Sequence, residues 1–147
     1  GPLEGWVSRT YRGYRERLFE RAQRPDLAGR VRFLGERDDV PALMAKAAVH
    51  ACPSRPEMRE GLPNVVLEAK QASLPTVAFA HGPFPELIEQ GRDGWICPQV
   101  GPEELAEGLS QFLAAPERRD AAGSAARASL SRFSREQFAR AWAEVFR

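Results

Sequence analysis

Residues 54–75 read SRPEMREGLPNVVLEAKQASLP, and this stretch decides how the chain is expected to fold. It follows a short apolar run ending at Cys52, which predicts a buried strand, and it leads into a helix predicted over residues 62–72. Pro63 suits the first turn of that helix, because its ring fixes a helical φ and the N–H that it lacks would be unpaired there. The stretch therefore predicts a strand, a glycine turn and a helix in succession.

The start of this predicted helix has the chemistry of a ligand site. Gly61 lets the backbone approach a ligand closely, and the free N–H groups of the first turn favour an anion. Two carboxylates, Glu60 and Glu68, flank the turn, and since carboxylates repel phosphate, their better use is to accept hydrogen bonds from hydroxyl groups. A sugar nucleotide offers both a diphosphate and hydroxyl-rich rings, so it is the expected ligand.

Composition narrows the class of protein. The chain has 147 residues, of which 43% are hydrophobic, enough for one domain with a substantial core. Its net charge of +1, with acids and bases interspersed, argues against a dedicated nucleic-acid binder. Cys52 and Cys97 each lie in an apolar run, which predicts reduced core cysteines in a cytoplasmic protein, with a disulfide as the alternative.

Apolar runs and turn residues predict the remaining elements. Strands are expected at residues 31–34, 48–52, 76–80 and 95–97, and helices at residues 7–24, 40–46, 85–90, 102–114, 116–130 and 134–146. This alternation predicts an α/β fold of the Rossmann-like, doubly wound kind, with a parallel sheet, helices on both faces and a helical carboxy-terminal tail. The predicted organisation is a single domain over residues 1–147.

Ligands on such sheets bind at the carboxyl ends of the strands. The loop holding Glu60, His81 after the next strand and the segment after Cys97 are all expected at that edge. His81 is there a candidate contact for phosphate or sugar. Because the chain opens on a helix, the first strand of the domain is expected to be missing and the chain to be a fragment of a larger protein.

The segment EGLPNVVLEA at residues 60–69, in which seven residues separate Glu60 from Glu68, resembles the glutamate motif of the family 4 (group 1) retaining glycosyltransferases. The segments RVRFLGERDDVPALMAKAAVHACPS before it and LPTVAFAHGPFPELIEQGRDGWIC after it resemble the runs that flank that motif. The resemblance implies the GT-B arrangement of two Rossmann-like domains, of which this chain is similar to the carboxy-terminal, donor-binding one.

The resemblance also implies roles for individual residues. Glu60 would be the catalytic residue, contacting hydroxyls of the transferred sugar, and Glu68 would bind the ribose hydroxyls. Backbone groups near the helix start would meet the diphosphate, and the loop after the first predicted strand would lie near the base. The donor-binding residues implied, with His81, are Gly61, Leu62, Pro63 and Asn64 at the helix start, and Leu34, Gly35 and Arg37 in the loop.

Some positions depart from the family pattern. Five residues separate Ser54 from Glu60, where the family has about two, so Glu57 competes for the first role, although only Glu60 precedes Gly61. Ser73 stands where the family usually has glycine before the next strand. The family's basic residues for the diphosphate and its amino-terminal domain have no match in this chain.

The implied function is transfer of a hexose, with retention, from a UDP- or GDP-linked donor to a glycan, lipid or small-molecule acceptor. The resemblance implies no cofactor and no required metal, and a bacterial, cytoplasmic enzyme that could contact the inner face of the membrane. The fragment is expected to be inactive without its amino-terminal domain. The alternative is a stand-alone Rossmann-like binding module with a degenerate nucleotide site.

Several other residues carry simpler expectations. Asp39, with Asp38, is expected to cap a helix, and His50 to be a satisfied core histidine. The arginine-rich first helix is expected to be a solvated face, with attraction to anionic lipid as the alternative. Phe138 and Trp142 are expected to pack, and by resemblance their helix could also reach back to the amino-terminal domain.

Overall fold

The computed structural model describes residues 13–59 and 61–146. The chain divides into two compact units, one up to Val40 and one from Pro41 onward. In the first unit, helix α1 spans Tyr14–Ala22 and starts after Gly13, which has a positive φ of 71°. The part of the predicted first helix before Gly13 lies outside the described residues.

The prediction of a strand at residues 31–34 is wrong. These residues are irregular and exposed, and the ring of Phe33 packs on Phe19 of α1, with 4.3 Å between the ring centroids. An apolar run becomes a strand only when another strand pairs with its backbone. The described residues of this unit contain no such strand, so the run is left without strand pairing.

The second unit contains a parallel sheet whose order follows the sequence. The strands are β1 (His50–Cys52), β2 (Thr76–Phe79) and β3 (Gly94–Cys97), with β2 in the middle. Opposite residues along the register include Cys52, Ala78 and Ile96. Helices α3 (Asn64–Gln71) and α4 (Phe84–Leu87) connect successive strands, as parallel pairing requires.

Helices cover both faces of this sheet. On one face, Cys52 and Ala78 pack with Val66 of α3 and with Phe84 and Leu87 of α4. On the other, the next residues along the strands pack with helices α5 (Pro102–Leu113) and α6 (Pro116–Ser129); they are Val77, Phe79 and Cys97, against Phe112 and Ala122. The predicted Rossmann-like α/β class is therefore confirmed.

The remaining α-helices of the described residues are α2 (Val40–Met44), which spans the boundary between the units, and α7 (Arg135–Val145); short 3-10 helices lie at Pro56–Met58 and Leu130–Phe133. Helix α7 begins as predicted, because Ser134 Oγ accepts a hydrogen bond from the Gln137 N–H at 3.2 Å. The packing expected of its aromatic residues is wrong: Phe138 is 66% exposed and Trp142 48% exposed. Their rings contact each other, with centroids 6.0 Å apart.

Candidate donor-binding site

The carboxyl edge of the sheet brings two of the predicted loops together. His81 follows β2 and Ser54 follows β1, and His81 Nε2 donates a hydrogen bond to the Ser54 carbonyl oxygen at 2.5 Å. A carbonyl can only accept, so the proton of this bond lies on Nε2. The His81 and Phe84 rings also make a T-shaped contact, with 5.3 Å between their centroids.

Glu60 lies outside the described residues, so its predicted catalytic role stays a prediction. Its neighbours are described. Arg59 has a positive φ of 46°, a left-handed conformation that costs free energy for a residue other than glycine. Gly61 and Leu62 are exposed. The loop between β1 and α3 therefore combines backbone strain with open access to solvent.

Helix α3 begins two residues later than the predicted start at residue 62. Pro63 is the buried N-cap residue, with an extended backbone, and Asn64 is the first helical residue. No side chain caps this end and no acid lies in its first turn. The exposed end at Asn64 therefore presents backbone N–H groups and the positive end of the helix dipole, as an anion requires.

Glu68 lies on the exposed side of α3, one helical turn after Asn64. It lines a cleft of about 290 Å³ between α2, α3 and α6. Pro41 and Met44 supply apolar wall to this cleft, and Arg127 of α6 supplies a guanidinium. An apolar lining with a few polar groups is typical of small-ligand sites, and the Glu68 carboxylate there could accept hydrogen bonds from hydroxyls.

The predicted base-contacting residues belong to the first unit. Leu34 is 46% exposed, and Gly35 has a positive φ of 69°. The Arg37 guanidinium donates two hydrogen bonds to the Asp39 carboxylate, at 2.6 and 2.7 Å, and lowers the pKa of that carboxyl. Asp39 directly precedes α2, where a cap was expected, and its carboxylate is engaged by Arg37.

The expectations that His50 has a partner in the core and that both cysteines are buried are confirmed. His50 Nδ1 lies 3.1 Å from Thr76 Oγ1, so this histidine has a partner inside the sheet, and burial lowers its pKa. Cys52 and Cys97 are both buried, and neither is part of a disulfide. Burial, together with the nearby carboxylates of Glu104 and Glu107, raises the pKa of the Cys97 thiol, which keeps it protonated.

Sequence reasoning missed a buried ion pair beside the site. Lys70 of α3 and Asp93 of the turn before β3 are both almost fully buried, with 2.6 Å between Nζ and Oδ2. The available signal was the position of Lys70 on α3, four residues after the buried Val66 and so on the same face.

Among the described residues, no group of three or more histidine, cysteine, aspartate or glutamate side chains is arranged to hold a metal ion. Over the same part of the chain, no helix is both long and apolar enough to cross a membrane.

Comparison with known proteins identifies the class to which this fold and edge belong. Residues 11–129 match the family described as glycosyl transferases group 1, which covers most of the chain. The chain belongs to this family, and its fold is that of a GT-B carboxy-terminal domain, as the sequence predicted.

Individual relatives agree with this assignment. An uncharacterized glycosyltransferase of Haemophilus influenzae is 34% identical over 69% of this chain and 28% of its own length. A GDP-mannose-dependent alpha-(1-6)-phosphatidylinositol monomannoside mannosyltransferase of Mycobacterium tuberculosis is 32% identical over 78% of this chain and 31% of its own. The crystal structure of Anabaena HepE in complex with UDP superposes with a TM-score of 0.81 at 29% identity, covering 95% of this chain and 38% of HepE. The chain thus spans about a third of these relatives.

Proposed function

We propose that this chain is the donor-binding part of a retaining glycosyltransferase that moves a hexose from a nucleotide-sugar to an acceptor. The observation that carries the proposal is that an exposed Glu68 lies one helical turn from the uncapped start of α3, in a chain of the group 1 family. The complex of the similar HepE with UDP supports a nucleotide diphosphate as the ligand of this edge.

In the proposed complex the diphosphate lies at the backbone N–H groups of Gly61, Leu62 and Asn64. Glu68 accepts hydrogen bonds from the ribose hydroxyls. Glu60 orients the transferred sugar through its hydroxyls. The contact between His81 and Ser54 supports a role for His81 in shaping the sugar side of the site.

The proposed chemistry is electrostatic. The bond between the anomeric carbon and the diphosphate oxygen breaks as the sugar becomes oxocarbenium-like. The acceptor hydroxyl oxygen forms the new bond on the same face, and its proton passes to the departing diphosphate oxygen. Backbone donors and the dipole of α3 stabilise the charge that develops on the departing diphosphate. No step in this proposal needs a metal ion.

The proposal includes a second domain that carries the acceptor site, for a glycan or lipid acceptor, so that the chain alone transfers no sugar. The exposed aromatic face of α7 supports a partner surface there, since Phe138, Trp142 and Phe146 are 66%, 48% and 78% exposed. We place the whole enzyme in the bacterial cytoplasm, with peripheral contact to the membrane where the acceptor is a lipid.

Calorimetric titration tests the donor site directly. The chain is titrated with UDP, GDP, ADP and the matching sugar nucleotides, and the titration is repeated with Glu68→Ala. The matched control is Glu86→Ala, which removes an exposed carboxylate from α4. We expect one nucleotide to bind and only the Glu68 variant to weaken it. The proposal is refuted if no nucleotide binds either this chain or the full-length gene product.

A further inference from the structure

Lys70 is an unusual residue for this chain. Of the 21 basic residues only Lys46 and Lys70 are lysines. Lys70 lies on α3 and is fully buried. Its ammonium donates hydrogen bonds to Asp93 Oδ2 at 2.6 Å and to Ser129 Oγ at 2.9 Å. A compact ammonium suits such a buried junction better than a wider, planar guanidinium does.

The two partners of Lys70 are themselves fixed to the backbone. The other carboxylate oxygen of Asp93 accepts a hydrogen bond from the Glu89 N–H at 2.8 Å, in the turn between α4 and β3. Ser129, at the end of α6, donates to the Ala126 carbonyl oxygen at 2.7 Å. Lys70 therefore joins three separate elements through directional contacts, and no buried side-chain nitrogen or oxygen of the described residues lacks a hydrogen-bond partner.

Stability alone is a weak reason for this arrangement. Removing two charges from water costs about as much free energy as their attraction returns, and apolar residues of similar volume often pack equally well. What a hydrogen-bonded charge adds is direction, because its energy falls steeply when the partners shift, whereas apolar contacts tolerate small displacements. The junction is thus suited to fixing the position of α3.

The position of α3 matters because the donor-site groups share its backbone. Glu68 lies two residues before Lys70 and Asn64 six residues before it, which is about 3 Å and about 9 Å along the helix axis. Through so short a rigid segment, any rotation or sliding at Lys70 moves the Glu68 carboxylate by a similar amount. Displacements of this size weaken a site that depends on directed hydrogen bonds.

We propose that Lys70, held by Asp93 and Ser129, is a positioning residue that sets the rotation and height of α3 so that Glu68 meets the ribose hydroxyls. This inference rests on the proposed function. It assigns Lys70 no contact with the donor.

The readout is the preference for ribose over deoxyribose. The probes are whichever of UDP, GDP and ADP the wild-type chain binds, and its 2′-deoxy analogue, measured by calorimetry. Since the lost hydroxyl bonds a charged carboxylate, we expect a wild-type preference of about tenfold for the ribose form. A residue that only supports folding would leave this ratio unchanged in any variant that folds.

The test variant is the double substitution Lys70→Met with Asp93→Asn, which removes both charges while keeping the side-chain volumes and an acceptor for the Glu89 N–H. We expect it to fold, and its preference to fall to about threefold or less, because Glu68 no longer holds its orientation. The matched control, Glu89→Gln with Arg92→Met, removes an exposed ion pair of 2.8 Å from the neighbouring surface and is expected to keep the full preference.

The outcomes separate the two proposals. Wild-type binding with an unchanged preference in the folded double variant overturns the positioning role and leaves the donor site standing. A wild-type chain that binds no nucleotide overturns the donor site, and this inference with it. If the double variant does not fold, Ser129→Ala serves instead, since it removes only the link to α6; an unchanged preference there also overturns the positioning role.

Discussion

The two ends of helix α3 differ in almost every physical respect, although the helix is only eight residues long. At its amino-terminal end, Asn64 and Val65 are exposed and no side chain caps the helix. At its carboxyl-terminal end, Ala69 and Lys70 are fully buried. One end leaves backbone donors open to a ligand, and the other end carries the contacts that hold the helix in place.

The carboxyl-terminal end is held by backbone as well as side-chain contacts. The N–H of Ser73 bonds the Lys70 carbonyl at 3.0 Å, and that of Leu74 bonds the Ala69 carbonyl at 2.9 Å, which together form a Schellman motif. Arg127 of α6 donates to the Gln71 carbonyl oxygen. The difference teaches that the uncapped amino-terminal end belongs to a helix whose opposite end is fixed by several contacts.

The largest expected effect comes from breaking the anchored end. Lys70→Met should destabilise the fold by about 3–5 kcal/mol, because it leaves the Asp93 carboxylate buried without its cation. Urea unfolding followed by circular dichroism measures the loss. Lys46→Met, at the other, exposed lysine, is the control and should change little. A loss below about 1 kcal/mol would show that the junction is not a buried charge pair in solution.

The next effect concerns the close approach of α6 to the same end. A Cβ added at Gly123 would overlap the backbone carbonyl oxygen of Ser73, which cannot move without disturbing the cap. Gly123→Ala should therefore cost about 1–3 kcal/mol in unfolding free energy, the usual range for overpacking. Gly101→Ala is the control, because its Cβ would meet only the flexible Glu103 side chain at 3.7 Å. Equal melting temperatures for the two variants would contradict this packing.

A substitution at the amino-terminal end of α3 should lower nucleotide affinity and leave stability nearly unchanged. Glu68→Gln keeps the size of an exposed side chain, so the melting temperature should stay within about 1–2 °C of the wild type. Nucleotide affinity should fall about fivefold, since charge-assisted hydrogen bonds to the ribose become neutral ones. Calorimetry measures the nucleotide affinity and thermal melting measures the stability of the same sample, with Glu86→Gln as the exposed control. A loss of stability without a loss of affinity would show that Glu68 supports the fold and does not contact the nucleotide.

Much of the fold was predictable because its signals are local. Short apolar runs separated by turn residues gave β1, β2 and β3 within one or two residues, and the alternation with helices gave the parallel sheet. The run at residues 31–34 has the same pattern but is not a strand. Whether such a run pairs depends on a partner strand, which the run's own sequence does not contain.

The candidate site was predictable only in part. The order of Gly61, Asn64 and Glu68 along a helix start follows from sequence, and their exposure agrees with a binding role, while Glu60 stays a prediction. The Lys70–Asp93 pair was not predictable, because 23 residues separate its members and a lysine on a short helix usually reaches solvent. The position of Lys70 on the buried face of α3 has a local signal, but its contact with Asp93 follows from the packing of three elements.

The smallest expected effect refines the anchored end without breaking it. Ser73 occupies the Schellman position that favours glycine, and its φ is +57°, in the left-handed region. A side chain there costs free energy that glycine does not. Ser73→Gly should therefore raise the unfolding free energy by about 0.5–1 kcal/mol, the strain relief being partly offset by the greater freedom of glycine in the unfolded chain.

Ser73→Ala separates strain from the loss of the hydroxyl, because alanine keeps the Cβ and therefore the strain. We expect this variant to be no more stable than the wild type, while the glycine variant melts a few degrees higher. Nucleotide affinity should stay constant in both, since neither substitution reaches Asn64 or Glu68. If glycine lowered the melting temperature, the cap would depend on the serine side chain, and the rigidity of the anchored end would have to come from Lys70 and Arg127 instead of from the backbone motif.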